Sequence, residues 1–259
     1  MKYRQPHRIK KKKSVLKNKF FWVFLLILIW LGVVFYLVCF ASFFQIKDFK
    51  ISGNNKVSSV DIESIIKKGL EQKFFLVPQK SIFLFNSENV KKEALKTYPQ
   101  ISTINIKREM PSTLLFNIEE RVLVAVWCYL DNCFSIDKEG IIFEEAKTDN
   151  ADFVIISQEG EKYNLGDEII ETNLMQNILE IQKKLNNIQI KVKNYEILNN
   201  NQITANTLNS WKIYFDKSGD MKWQLTELLS VLGKQIPPES QGNLEYIDLR
   251  FSKVYYKFR

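Results

Sequence analysis

The sequence predicts an α+β protein: one N-terminal transmembrane helix, an exported domain ordered β-α-α-β-β, and a mostly antiparallel β-sheet domain with two flanking helices. Two observations predict this class. Residues 20–44 carry no charge, and the hydrophobic residues after them alternate between strand and helix periodicities. The expected boundaries are a cytoplasmic tail at 1–19, the transmembrane helix at 20–44, and exported domains at 45–121 and 122–259.

The N-terminal tail holds most of the excess charge. Residues 1–19 contain nine Lys or Arg and no acid, which leaves 28 of the 37 basic residues against 29 acidic residues in the rest of the chain. A nucleic-acid-binding domain is expected to carry its cations on a folded face. The charge therefore does not favour nucleic acid as a partner.

The uncharged run FFWVFLLILIWLGVVFYLVCFASFF has the length of a membrane span. As a helix it would reach about 37 Å, enough to cross a bilayer core of about 30 Å with some tilt. The cations before the run orient the N-terminus toward the cytoplasm. A cleavable signal has a shorter apolar region and small residues at its cleavage site, and neither Phe40-Ala41-Ser42 nor the Val38-Cys39 step suits cleavage or lipidation. We therefore expect a retained anchor in the lipid bilayer.

The first exported domain is read from periodicity and caps. Ser58 or Ser59 caps one helix, Asn86 or Ser87 caps a second, and Pro99 ends it. A strand is expected at 47–51, ending at Gly53-Asn54-Asn55, and strands with alternating apolar residues are expected at 101–107 and 113–119.

The second exported domain mixes two helices with many short strands. Leu174, Ile178, Ile181, Leu185 and Ile188 recur at helical spacing and predict an amphipathic helix over 171–188. A second helix is expected at about 220–235 with Asp220 as its cap. Strands are expected at 122–128, 133–136, 141–144, 153–156, 190–197, 202–206, 211–215, 244–251 and 254–258.

Side chains suited to catalysis are scarce in the exported part. The only histidine is His7, in the tail, so the exported part has no histidine for nucleophile activation or metal binding. The pairs Glu119-Glu120 and Glu144-Glu145 point to opposite faces of their strands. The segment 216–220 resembles the start of a calcium loop with Glu227 at the twelfth position, but the chain is expected to be helical from Asp220. We predict no enzyme activity, cofactor or metal.

Two cysteines flank a predicted four-residue loop. If 122–128 and 133–136 form a hairpin around this loop, Cys128 and Cys133 face one another and can oxidise outside the cytoplasm. Two free thiols remain the alternative, and another register would place Cys128 opposite Ser135. Cys39, within the span, is expected to be apolar filling.

The last two strands predict a hairpin centred on Ser252-Lys253. The expected register pairs Arg250 with Tyr255, Leu249 with Tyr256, Asp248 with Lys257 and Ile247 with Phe258. Phe251, Leu249, Ile247, Val254, Tyr256 and Phe258 would then face the core, with Tyr246, Asp248, Arg250, Tyr255 and Lys257 facing outward. The outward face is either solvated or a partner surface, since the final strand is expected to leave a sheet edge free.

Short motifs in a fixed order make the chain recognisable. Together they resemble the POTRA domain and C-terminal domain of the FtsQ/DivIB cell-division proteins, although residues 144–210 match poorly. The motifs are Gly53-Asn54-Asn55, Val57-Ser58, Tyr98-Pro99-Gln100-Ile101, Ile106 to Pro111, Glu119-Glu120-Arg121-Val122, Val124 to Trp127, Asp137 to Phe143, Phe215 to Asp220 and Tyr246 to Phe251.

The resemblance implies a non-enzymatic, single-pass scaffold at the septum, in the bacterial cell membrane. It implies partners of the FtsB/DivIC and FtsL kind, no small-molecule substrate, and a partner site at the terminal strands. The alternatives are a membrane-anchored envelope enzyme or regulator, and a secretion or barrel-assembly accessory. A barrel would need many alternating strands, whereas 122–259 also offers helices.

Overall fold

The computed structural model describes residues 19–71, 73–74, 77–78, 80–130, 132–146, 153–157, 163–198 and 201–259. The chain divides into two compact units. The first holds the described residues up to Ile51 together with 63–90 and 105–116. The second holds 52–62, 91–104 and 117–259.

The N-terminal helix α1 spans Lys19–Phe40 and is long and apolar enough to cross a membrane. Its 22 residues reach about 33 Å. This is consistent with a single-pass membrane anchor. The helix ends four residues before the expected boundary at 44, because the chain turns at Ala41 and Ser42–Phe44 forms a short 3-10 turn.

The first domain has the predicted β-α-α-β-β order, with an unpredicted two-stranded ribbon between the helices. Its sheet has the strand order β1-β5-β4. The elements are β1 Asp48–Ser52, α2 Ser59–Glu71, β2 Lys73–Phe74, β3 Val77–Pro78, α3 Ser87–Thr97, β4 Ile101–Glu109 and β5 Thr113–Glu120.

The Gly53-Asn54-Asn55 motif forms a turn held against the end of β5. Gly53 has φ of +84°, and a Cβ there would lie 2.1 Å from the Ile118 carbonyl oxygen. Only glycine tolerates both conditions. The Glu120 carboxylate accepts the backbone N–H groups of residues 55, 56 and 57 at 2.8–3.0 Å. The motif and Glu120 therefore have structural roles.

The second domain contains a nine-stranded sheet in the order β14-β13-β12-β11-β10-β9-β6-β7-β8. Antiparallel pairs outnumber parallel pairs, as predicted; the parallel pairs are β6·β9, β9·β10 and β12·β13. The strands are β6 Ala125–Tyr129, β7 Asn132–Ile136, β8 Ile142–Glu145, β9 Val154–Ser157, β10 Val192–Leu198, β11 Gln202–Thr207, β12 Lys212–Asp216, β13 Leu244–Asp248 and β14 Tyr255–Phe258.

Among the described residues, three helices accompany this sheet: α4 Thr172–Asn187, α5 Met221–Lys234 and the unpredicted one-turn α6 Pro238–Gln241. The apolar faces of α4 and α5 join alternate strand residues in one hydrophobic core. The core includes Trp127, Tyr195, Ile203, Trp211, Ile213, Phe215, Met175, Ile178, Ile181, Leu185, Leu225 and Leu228, all buried. The opposite face of the sheet, which includes Asn194, Asn206 and Tyr214, is more polar.

Arg121 anchors a buried charge network within the second unit. Its guanidinium binds the Asp137 carboxylate through Nη1, contacts Glu139 at 3.3 Å, and donates through Nε to the Pro99 carbonyl at 3.1 Å. The Arg121 and Asp137 side chains are only 10% and 5% exposed. The Asp137 carboxylate also accepts the N–H groups of Glu139 and Ile141 at 2.9 and 3.0 Å.

Gly140 completes the turn that begins at Asp137. Its φ is +84°, and a Cβ there would lie 1.9 Å from the Ile170 carbonyl oxygen. The D-x-x-G-x-x-F segment is thus a tight turn that presents a carboxylate to Arg121.

Candidate partner-binding edge

The final strand, β14, lies at the end of the nine-stranded sheet. It pairs with β13 on one side, and no strand in the described part of the chain pairs with its other side. β13 in turn pairs in parallel with β12. This places a free sheet edge at the C-terminal end of the domain.

The register of the terminal hairpin differs from the expected one by two residues. The structure pairs Asp248 with Tyr255, Ile247 with Tyr256 and Tyr246 with Lys257. β13 ends at Asp248 because the Asp248 carboxylate accepts the backbone N–H of Arg250 at 3.1 Å and turns the chain. A shift of two residues keeps every strand residue on its expected face, but it takes Leu249 to Val254 out of the ladder.

Asp248 and Arg250 form a structural pair. Asp248 lies on the expected outward face of β13 but is only 6% exposed, so it is covered rather than solvated. Its two oxygens accept Nε and Nη2 of Arg250 at 2.9 and 2.6 Å, while Arg250 Nη1 donates to Gln202 Oε1 at 2.5 Å. The guanidinium lies 5.1 Å from the centre of the Tyr214 ring. The hydrogen bonds that the Arg250 guanidinium donates to the Asp248 carboxylate raise the pKa of Arg250, which stays cationic.

The other expected outward residues are accessible to different degrees. Tyr255 and Lys257 are exposed, and Tyr246 is half-buried with its ring 5.8 Å from that of Tyr214. Lys257 pairs with Glu245 at 2.7 Å, and the hydrogen bond that its ammonium donates to the Glu245 carboxylate raises the pKa of Lys257.

Three aromatic side chains expected in the core are exposed instead. Tyr256 and Phe258 are 38% and 41% exposed, although their cross-strand partners Ile247 and Leu244 are fully buried. An edge strand has a neighbour on one side only, so its core-facing side chains remain partly uncovered. Phe251 lies in the connection between the strands, exposed and 5.9 Å from the Tyr255 ring. Four exposed aromatic residues therefore lie on or beside the free edge: Phe251, Tyr255, Tyr256 and Phe258.

The backbone of β14 presents hydrogen-bonding groups along this edge. Arg259 donates its N–H to the Asn243 carbonyl on the β13 side at 2.9 Å. Successive N–H groups of a strand point to opposite edges. The N–H groups of Tyr256 and Phe258 therefore point away from β13, toward the free edge.

The connection after β13 borders a cavity of about 310 Å³. Its lining includes Trp223, Leu249, Arg250 and Phe251. Asp220 caps α5 as predicted, accepting the Trp223 N–H at 3.0 Å. The segment 216–220 is the expected strand-to-helix turn, since α5 begins at Met221.

Cys128 and Cys133 lie opposite each other in the β6·β7 pair and are joined by a disulfide. Ser135 pairs with Val126, so the alternative register is not the one adopted. Cys39 is a free, buried thiol.

The N-terminal apolar helix, the small β-α-α-β-β domain and the large mixed sheet define a POTRA-containing protein, with one candidate membrane anchor in the part of the chain that the structure describes. Residues 44–121 match the family model described as "POTRA domain, FtsQ-type". Residues 125–250 match the family model described as "Cell division protein FtsQ/DivIB, C-terminal". The chain belongs to the FtsQ/DivIB family of cell-division proteins.

Two clostridial relatives agree with this assignment. Cell division protein DivIB of Clostridium tetani is 29% identical over 226 residues, covering 83% of this chain and 79% of the relative. Cell division protein DivIB of Clostridium acetobutylicum is 25% identical over 218 residues, covering 81% and 80%. These relationships support a role in cell division.

Proposed function

We propose that this protein is a non-enzymatic scaffold of the bacterial divisome, with its N-terminus in the cytoplasm and both folded domains outside. In this role it links bitopic division proteins of the FtsB/DivIC and FtsL kind at the septum. Family membership and the apolar helix α1 support the proposal. The basic tail supports the orientation. The Cys128–Cys133 disulfide also suits an oxidising compartment.

The free edge of β14 is the observation that carries the scaffold proposal. A partner segment in extended conformation would add as a tenth strand, accepting hydrogen bonds from the outward N–H groups of Tyr256 and Phe258. The exposed aromatic side chains around the edge would select the partner, because aromatic residues are enriched among the residues that dominate binding energy.

The five residues expected to bind the partner divide into two roles. Accessible surface is supplied by Tyr246, Tyr255 and Lys257, and Tyr255 is the more exposed of the two tyrosines. Asp248 acts indirectly, since its carboxylate holds Arg250 over Tyr214. Arg250 remains partly exposed.

Replacing Tyr255 by Ala should weaken partner binding by about 1 kcal/mol or more, because an exposed aromatic beside the docking edge is removed. Binding of the full-length chain in detergent to a purified DivIC-like protein can be measured by titration calorimetry. Tyr246→Ala should act in the same direction. Leu130→Ala, at an exposed position on the β6·β7 turn, is the control and should bind normally. Unchanged affinity in folded Tyr255→Ala and Tyr246→Ala would remove both rings from the interface.

The proposed orientation predicts that residue 52 lies outside the cytoplasm. A cysteine introduced as Ser52→Cys should react with a membrane-impermeant thiol reagent in intact cells, since Ser52 is exposed. A cysteine introduced as Ser14→Cys in the tail should react only after lysis. The opposite pattern would reverse the topology.

A further inference from the structure

The end of α1 is hydrogen-bonded to later residues of the same compact unit. Ser81 is fully buried, and its hydroxyl donates to the Val38 carbonyl of the last helical turn at 2.7 Å. The Gln45 side chain donates to the Phe40 carbonyl at 3.3 Å. Two of the helix-terminal carbonyls, which have no partner within the helix, are thus hydrogen-bonded by residues that follow α1 in the chain.

Backbone contacts extend this junction. Ile82 N–H donates to the Phe44 carbonyl at 2.9 Å, Ile46 N–H donates to the Lys80 carbonyl at 2.9 Å, and Gln45 forms an isolated bridge with Ser81. The segment 80–85 is therefore held beside the end of α1. Its distance along the bilayer normal is fixed by the helix.

Exposed aromatic rings surround the same junction. Phe40, Phe43 and Phe83 are exposed. The half-buried Phe44 bridges two of them, with ring centroids 5.0 Å from Phe43 and 5.3 Å from Phe83. We call Phe40, Phe43 and Phe83 the aromatic collar. Exposed apolar patches of this kind mark sites of contact with a membrane or a partner.

The bilayer is the occupant that the position of the collar favours. The apolar helix ends at Phe40, so the next residues leave the hydrocarbon core at the depth of the lipid headgroups. Apolar side chains of interfacial segments bury roughly 5–10 Å into the headgroup and acyl boundary. Exposed Lys80, which directly precedes Ser81, supplies a cation for lipid phosphates.

We propose that the aromatic collar inserts into the outer headgroup region of the bilayer and holds the segment 80–85 at the membrane surface. The proposal rests on the membrane anchor in the proposed function. It adds that the exported part is not on a free tether where it leaves the membrane.

Spin labels on the full-length chain in phosphatidylcholine/phosphatidylglycerol vesicles test this proposal. Labels are placed singly by Phe43→Cys, Phe83→Cys and Lys80→Cys, in a Cys39→Ala background. For each label, the collision rate with oxygen, which concentrates in lipid, is divided by the collision rate with a water-soluble nickel chelate. We expect each to show an oxygen-to-nickel ratio several-fold above that of a label at Lys68→Cys, an exposed position on α2. The Lys80 label leaves all three rings in place, so its result does not depend on a substituted collar.

A loss-of-collar variant completes the test. Phe43→Ser combined with Phe83→Ser should return the Lys80 label to the aqueous ratio of position 68, whereas Leu130→Ser should leave it unchanged. A label introduced by Trp30→Cys reports the anchor itself and should be oxygen-accessible in every variant. If the labels at 43, 80 and 83 have the ratio of a label in water while the label at 30 has that of a label in lipid, the collar proposal is overturned and the membrane anchor stands. If the label at position 30 also has the ratio of a label in water, both the membrane anchor and the collar proposal are overturned.

Discussion

Replacing Arg121 by Ala should destabilise the second unit by about 3–5 kcal/mol, because it leaves the buried Asp137 carboxylate without its counter-ion. The Arg121 side chain also holds the Pro99 carbonyl, so the loss removes a hydrogen bond as well. The free energy of unfolding is measured by urea titration of the full-length chain in detergent, followed by tryptophan fluorescence.

Two variants sharpen this expectation. Lys56→Ala removes the Lys56–Glu144 ion pair, which is far more exposed, and should cost less than about 1 kcal/mol. Arg121→Met combined with Asp137→Asn should recover much of the loss, since Asn is neutral and its oxygen can still accept the N–H groups of Glu139 and Ile141. If Arg121→Ala costs no more than Lys56→Ala, the network is not a structural anchor.

Replacing Tyr256 by Pro should reduce partner affinity at least about tenfold more than replacing it by Ala, a difference of 1.4 kcal/mol or more. Both variants lose the ring, but only proline loses the outward N–H and blocks the edge with its own ring. The affinity is measured against the DivIC-like protein by titration calorimetry.

The fold should tolerate this proline. The Tyr256 N–H points away from β13, and proline is found on edge strands whose N–H faces solvent. The circular dichroism spectrum of Tyr256→Pro should therefore match that of Tyr256→Ala. Equal affinities of the two folded variants would mean that the partner does not pair with this edge.

Periodicity predicted the elements well because most of them bury one face. The helix of Leu174, Ile178, Ile181 and Leu185 forms as α4 and ends at Asn187, leaving Ile188 just outside it. The alternating residues of β11 and β12 point into the same core. Local spacing predicts such elements because the side of a helix or strand on which a residue lies follows from its position within that element.

The details of the site were harder to predict because they depend on distant or local polar contacts. Gln202 binds Arg250 across 48 positions of sequence, and no pattern near either residue indicates it. The Asp248 carboxylate turns the chain at Arg250, which ends β13 before the apolar alternation does. That alternation correctly assigned faces but misjudged exposure at Tyr256 and Phe258, because it does not show how little an edge strand's core-facing side chains are covered.

The end of α1 was misplaced for a related reason. Residues 41–44 continue the apolar composition of the span, so a hydropathy pattern extends the helix through them. In the structure Phe44 instead packs against Phe83, a contact between residues far apart in sequence. The contact of Phe44 with Phe83 also places Phe83 beside Phe43 in the aromatic collar.

Amide hydrogen exchange at β14 tests the central claim, that a division partner docks on this edge by adding a strand. In the protein alone, the N–H groups of Tyr256 and Phe258 should exchange rapidly because they point to the free edge. Adding a saturating DivIC-like partner should slow both by orders of magnitude, while the exposed amide of Leu130 exchanges as before. Unchanged exchange at Tyr256 and Phe258 in the complex would contradict the claim.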